Sequence, residues 1–231
     1  MRLVTGHSRS HADPAAHASP LLTSPAAAPA PCYKRLVTDR LIIAPRWAGR
    51  GASDWYPWIT AALADSIEVR ALDLPEPGSP TIDGWTRGLA EALGPRPDAL
   101  AGALLVGHSV VCRALLHYLS RIGPEVVPAR GLLCVAGWWT VDRPWPSILP
   151  WIDEPIDLAR VRAAAPRIVA LLSDDDPFTA DHQANRALWE ERLGAAVEVI
   201  PGARHFNAAE EPAVLTALRR HFGVGRDRAG T

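Results

Sequence analysis

From residue 41 to residue 222 the chain alternates short apolar runs with longer stretches of helical period, and this alternation limits its fold more than any other feature. The runs are Leu41–Ala44, Ile67–Leu72, Ala103–Val106, Leu132–Ala136, Ile168–Leu172 and Val197–Ile200. Each has the length of a strand buried in a sheet. The segment from about Asp54 places Trp55, Trp58, Ile59, Ala62 and Leu63 on one face, and Thr81–Leu93 does the same with Ile82, Trp85, Leu89 and Leu93. Val111, Leu115, Tyr118, Leu119 and Ile122 share a face of the next helix, where Gly123-Pro124 is expected to supply a left-handed cap and a stop. Helices are expected over Asp181–Leu193, ending at Gly194, and over Glu210–Phe222, with Pro212 tolerated in the first turn. Strands alternating with helices make parallel βαβ units. The class is therefore α/β: a central, mostly parallel sheet with helices on both faces.

A chain of 231 residues fits one such domain. Residues 11–31 are rich in Pro, Ala and Ser and have no sustained period, so residues 1–35 are expected to form a disordered tail. The folded domain is expected over residues 36–222 and a short polar tail over 223–231. A formal net charge of −1 gives no broad electrostatic reason to expect nucleic acid or an anionic membrane as partner. Cys32, Cys112 and Cys134 have no metal-ligand spacing and are odd in number, which fits reduced thiols rather than a disulfide framework. No metal and no cofactor are expected. No apolar run approaches the roughly 20 residues of a membrane span, and the N-terminus has no apolar signal-peptide core, so the expected location is the cytoplasm.

Parallel sheets of this kind place chemistry at the carboxyl ends of their strands. Three candidate residues follow apolar runs there. Leu104-Leu-Val-Gly-His-Ser109 is a strand running into a turn and then a helix, which would push the Ser109 hydroxyl out of the sheet top. A serine at that position also caps helices. Ile168-Val-Ala-Leu-Leu-Ser ends in Asp174-Asp175-Asp176, which is either an acid that orients a histidine or a solvated turn. Val199-Ile-Pro-Gly-Ala-Arg leads to His205. Of eight histidines it alone occupies a loop after a strand that follows the acid. The order serine, aspartate, histidine, each after its own strand, raises the three together.

Gly107-His-Ser109, Asp175-Asp-Pro-Phe178 and His205-Phe206 resemble motifs of the retinoblastoma-binding-protein-nine / YdeN family of small α/β hydrolases. Trp55-Tyr-Pro-Trp58, Asp73-Leu-Pro-Glu-Pro77 and Trp85 extend the resemblance over roughly residues 40–220. It implies an α/β-hydrolase fold with little or no cap domain, acting on esters or related acyl bonds. It also implies that Asp176, directly before Pro177, is the acid. The chain departs from the family pattern at Val111 and Arg204, where glycines are usual, and in the loop Ala44-Pro-Arg-Trp-Ala-Gly49, which is usually glycine-rich.

The expected mechanism runs through Ser109 as nucleophile, His205 as base and an acyl-enzyme. Its oxyanion would be held by the backbone N–H of Val110 and one from Arg46 or Trp47. Trp138, Trp139, Trp145 and Trp151 follow the strand ending at Ala136. They form either an aromatic wall for a hydrophobic or aromatic small-molecule substrate, or packing for a loop. A monomer or homodimer is expected. Two other readings use the same residues: a weak or inactive member kept as a binding protein, and a cyclase or acyltransferase whose acceptor is not water.

Overall fold

Three strands are buried at every residue: β3 (Ala103–His108), β4 (Gly131–Val135) and β5 (Ile168–Ser173). A parallel strand covered on both faces has no room for alternation, which is why these segments read as continuous apolar runs. With β1 (Arg40–Ala44), β2 (Glu68–Ala71) and β6 (Ala196–Ile200) they form one six-stranded sheet, ordered β2-β1-β3-β4-β5-β6 and parallel throughout. Apart from Arg40 at the start of β1, the charged residues of the sheet lie on its edge strands, Glu68 and Arg70 on β2 and Glu198 on β6. Charge at an edge discourages pairing with another chain. The structure is a computed structural model and describes residues 39–225. The expected tail at 1–35 lies outside them, as do residues 226–231.

Alternate residues of β1 divide the core. Leu41 and Ile43 pack with α1 (Tyr56–Leu63) and α7 (Pro212–Phe222) on one face of the sheet. Ile42 and Ala44 belong to the opposite cluster, with Trp85 and Leu89 of α2 (Ile82–Leu93), Leu115 of α3 (Val111–Arg121), Val161 of α5 (Leu158–Ala164) and Trp189 of α6 (His182–Leu193). The winding sense reverses after β2, because β3 returns to the far side of β1. β1 and β3 stay paired up to Ala44 and Gly107, and the chain leaves their carboxyl ends toward opposite faces, to α1 and to α3. Such a reversal leaves a crevice at the carboxyl ends, the place where such sheets bind ligands.

Local signals account for most helix ends. Thr81, Asp157 and Asp181 each accept a backbone N–H of the first turn, from Gly84, Arg160 and Ala184. Gly194 closes α6 in the left-handed region at φ 63°. Gly123 does not do this for α3. That helix ends at Arg121, Ile122 is extended at φ −71° and ψ 152°, and Gly123 is absent from the positive-φ residues. Two short helices in the β4–β5 connection, α4 (Leu149–Asp153) and α5, were not expected from periodicity. Packing also continues past Phe222, since Val224 is buried against the α1–α7 cluster. No helix among the described residues is long and apolar enough to cross a membrane.

Candidate active site

Ser109 stands where β3 breaks into α3. Its backbone is in the left-handed region, φ 65°, and its N–H donates to the carbonyl of Val135 on β4 at 2.8 Å. A non-glycine residue held there is strained, and such strain gathers at functional sites. The tight approach of strand and helix is carried by Gly107. A Cβ there would lie 2.8 Å from Leu115 Cδ1 and 3.2 Å from Cys112 Cα. Val111 sits fully buried in the first turn of α3 without disturbing the serine's contacts.

The Ser109 Oγ lies 2.8 Å from His205 Nε2, and His205 Nδ1 lies 2.7 Å from Asp176 Oδ2. A carboxylate can only accept, so the ring carries its proton on Nδ1 and turns the Nε2 lone pair to the hydroxyl. All three residues are buried. The acidic triplet at the end of β5 divides its labour. Asp174 accepts the Gly202 N–H at 2.9 Å, and Asp175 accepts the Arg204 N–H at 2.6 Å and the Ser173 hydroxyl at 2.7 Å. Those bonds, the Ser173 hydroxyl first, hold the Asp175 carboxyl below its ordinary range. Two of the three carboxylates thus fix the loop that carries His205, and the third meets the imidazole. Asp176 is itself oriented by the Phe178 N–H, which donates to Oδ1 at 2.9 Å.

The loop after β1 faces the serine from across the crevice. Of its two candidate amide donors, Arg46 is occupied: its N–H donates to Tyr56 Oη at 3.1 Å. Its guanidinium pairs with Asp54 at 2.8 and 3.0 Å. The N–H groups of Trp47 and Val110 make no hydrogen bond among the described residues.

A cavity of about 350 Å³ opens beside Ser109 and His205, walled by Trp47, Val110, Trp138, Val141, Trp145, Ile148 and Phe178, with Arg46 and Asn207 also lining it. Rings run in contact around its mouth: Trp47 to Trp145 at 6.5 Å between centroids, Trp145 to Phe178 at 6.2 Å and Phe178 to His205 at 4.8 Å. Trp145 and Phe178 are 37% and 41% exposed, two of the four exposed large hydrophobic residues among those described. Two of the four expected tryptophans are not on this wall. Trp139 is buried edge-on against Trp189 and beneath the guanidiniums of Arg113 and Arg192. Trp151 packs on Trp85 and borders a separate cleft on the α2 side of Trp47. Sequence reasoning passed over Val141, Ile148 and Asn207 as wall residues. It quoted Phe178 only within a motif, although a lone aromatic after Asp176-Pro177 was a usable signal.

A parallel sheet of this order, with serine, aspartate and histidine loops gathered at its carboxyl edge, defines the α/β-hydrolase fold. The family model for serine hydrolases matches residues 41–218, and the chain belongs to that family. YdeN of Bacillus subtilis strain 168 is 24% identical over 170 residues, which cover 68% of this chain and 85% of YdeN. The crystal structure of the ydeN gene product superposes with a TM-score of 0.67 at 20% identity, covering 80% of this chain and 100% of that one. The RedJ thioesterase from the prodiginine biosynthetic pathway in Streptomyces coelicolor superposes with a TM-score of 0.56 at 19% identity, covering 86% of this chain and 94% of that one. These likenesses bear out the fold and the YdeN side of the resemblance read from the motifs.

Proposed function

We propose that the protein hydrolyses a carboxylic ester or thioester of a hydrophobic or aromatic acid through an acyl-enzyme on Ser109. The observation that carries this is the buried hydrogen-bond chain from Ser109 through His205 to Asp176, opening onto an aromatic-walled cavity. His205 Nε2 takes the hydroxyl proton as Oγ attacks the acyl carbon, and Asp176 steadies the imidazolium that forms. The N–H groups of Val110 and Trp47 receive the oxyanion, since neither has another acceptor among the described residues. As the tetrahedral intermediate collapses, His205 returns the proton to the departing alkoxide or thiolate. Water then gives a proton to His205 and attacks the ester on Ser109, and the acid leaves as the proton passes back to Oγ. Ser109 in this role is a nucleophile elbow.

Labelling with a fluorophosphonate probe tests the reading. Wild type is expected to label at Ser109 and to cleave p-nitrophenyl esters, and Ser109→Ala is expected to do neither. Folded wild type that takes up no probe and turns over no ester would favour the binding-protein alternative. Acyl N-acetylcysteamine substrates, assayed beside the esters, divide thioester from ester preference. An added amine or alcohol that diverts the acyl group would mark a transferase.

A further inference from the structure

The segment that opens α1 makes a set of buried polar contacts for which the reaction just described has no direct use. Tyr56 and His108 are both wholly buried. Tyr56 Oη lies 2.8 Å from His108 Nδ1, and His108 Nε2 lies 2.8 Å from the carbonyl oxygen of His205. A carbonyl can only accept, so His108 carries its proton on Nε2 and presents a lone pair at Nδ1. Tyr56 must then donate to Nδ1, which leaves its oxygen to accept the Arg46 N–H at 3.1 Å. Every group is satisfied in one sense only. The chain runs from the Arg46 amide through Tyr56 and His108 to the backbone of His205.

Neighbouring residues pull the same two loops together. Trp55 Nε1 donates to the carbonyl of Phe206 at 3.0 Å, so consecutive carbonyls of the histidine loop are held from the start of α1, one directly and one through His108. Asp54 grips the Arg46 side chain while Tyr56 holds its amide. Both loops contain non-glycine residues in the left-handed region: Ala48 at φ 56°, and Arg204 and Phe206 at φ 51° on either side of His205. Each such residue tends to relax unless its surroundings hold it.

We infer that Tyr56 and His108 are positioning residues that lock the loop bearing the Trp47 amide to the loop bearing the His205 imidazole. The inference rests on the serine-hydrolase reading of Ser109. The oxyanion donor and the base must keep their spacing while charge develops on both the substrate oxygen and the imidazole. A loop free to drift by about 1 Å loses roughly a hundredfold in rate. The centre of the chain also stays uncharged: burial first, and then His205, pull His108 down to about 3. A cationic ring 5.6 Å from His205 would oppose the imidazolium that the reaction creates.

The test uses three measurements on the full chain. Fluorophosphonate labelling of wild type and of Ser109→Ala establishes the nucleophile. Steady-state kinetics on a p-nitrophenyl ester then compare Tyr56→Phe and His108→Gln with wild type. Tyr56→Phe keeps the ring and removes the relay, so kcat should fall about a hundredfold with KM within about twofold. His108→Gln can still donate to the His205 carbonyl and accept from Tyr56, so it should keep more of kcat than Tyr56→Phe. Nitrogen-15 imidazole spectra of wild type should show His108 protonated on Nε2 alone from pH 5 to 9, with its signal assigned by the His108→Gln variant. A labelled, active enzyme whose kcat is unchanged in folded Tyr56→Phe overturns the positioning role and leaves the serine-hydrolase reading standing. A His108 proton on Nδ1 overturns the chain itself. Should Tyr56→Phe not fold, a His108→Gln kcat reduced as far as that of His108→Leu refutes the relay, and a higher one supports it. Wild type that neither labels nor turns over ester removes the nucleophile and this inference with it.

Discussion

At the scale of single residues the acidic triplet is the sharpest case, because chemically identical neighbours have separate tasks. An Asp176→Asn side chain would turn its NH₂ to His205 Nδ1 and leave the ring proton on Nε2, facing the serine. Serine proteases changed in this way lose about 10⁴ in kcat, and the same order is expected here. Asp175→Asn keeps an oxygen for the Arg204 N–H and should lose less than about tenfold, since it shifts a loop without changing a tautomer. A pH-independent kcat for the two variants that is equal would contradict this division. Arg204 offers a stability counterpart. Its side chain is exposed and its backbone sits at φ 51°. The left-handed conformation costs a side chain roughly 1–2 kcal/mol, and a glycine adds roughly 0.5–1 kcal/mol of chain entropy, so Arg204→Gly should gain about 0.5–1 kcal/mol. Urea denaturation reads the difference, and a loss of stability would show that the arginine side chain has a partner in solution.

Among the elements, the six strands and five longer helices were legible in sequence, most of them from apolar runs or apolar faces; β2, with Val69 and Ala71 alone, and α6, with Trp189 and Leu193 as its buried apolar residues, carry the weakest such signal. Strand ends read from the same runs also pointed to Ser109, the triplet Asp174–Asp176 and His205, while the choice of Asp176 within the triplet came only from the family resemblance. What escaped was set by contacts distant in sequence. The 5-residue α4 and 7-residue α5 are too short to show a period, and nucleation alone makes such helices unstable in isolation. Arg113 of α3 reaches across to α4 instead: Nε donates to the Trp151 carbonyl at 2.8 Å and Nη2 to the Ile152 carbonyl at 3.4 Å, with Trp139 under the guanidinium at 4.5 Å. No sequence pattern distinguishes Trp139, which serves that cation, from Trp138, which lines the cavity. Burial, with Arg192 second, pulls Arg113 down to about 10, and its Nη1 has no partner among the described residues. Arg113→Ala opens a cavity and orphans the α4 carbonyls, for a loss of about 3 kcal/mol. Arg113→Met orphans them too but fills the space and removes the unpaired nitrogen, so it should recover about half of that loss. Ile148 directly precedes α4 and lines the cavity, so both variants should raise KM for bulky acyl groups more than they lower kcat. Equal destabilisation by alanine and methionine would mean that packing volume is not what α4 requires.

For the molecule as a whole, the cost of this architecture is burial of histidine on both sides of the third strand's turn. His108 lies under the site and His117 inside α3, and both are almost fully inaccessible. Burial is the leading cause in each, aided by His205 for the first and by Arg113 and Arg121 for the second, and Asp83 opposes it weakly at His117. From an ordinary value of 6.5 they fall to about 3 and about 4. The sign follows from proton linkage. Above pH 6.5 both states are neutral at these positions and stability does not respond to them. As pH drops below 6.5 the unfolded chain takes up protons that the folded one refuses, so stability falls until the folded pKa values are reached. Near pH 5 the two together approach an uptake of two protons on unfolding. Glu198 and Asp175, whose carboxyls are lowered, also lose stability on acidification, but from ordinary values of 4.5 and 3.8 and hence further down the scale. Urea unfolding at half-unit steps from pH 7 to pH 5 should therefore show a slope of one to two protons in wild type and about one fewer in His117→Gln, a variant outside the proposed catalytic machinery. A slope unchanged by that substitution would mean that His117 binds its proton equally in both states, and that the interior around α3 is wetter than its packing implies.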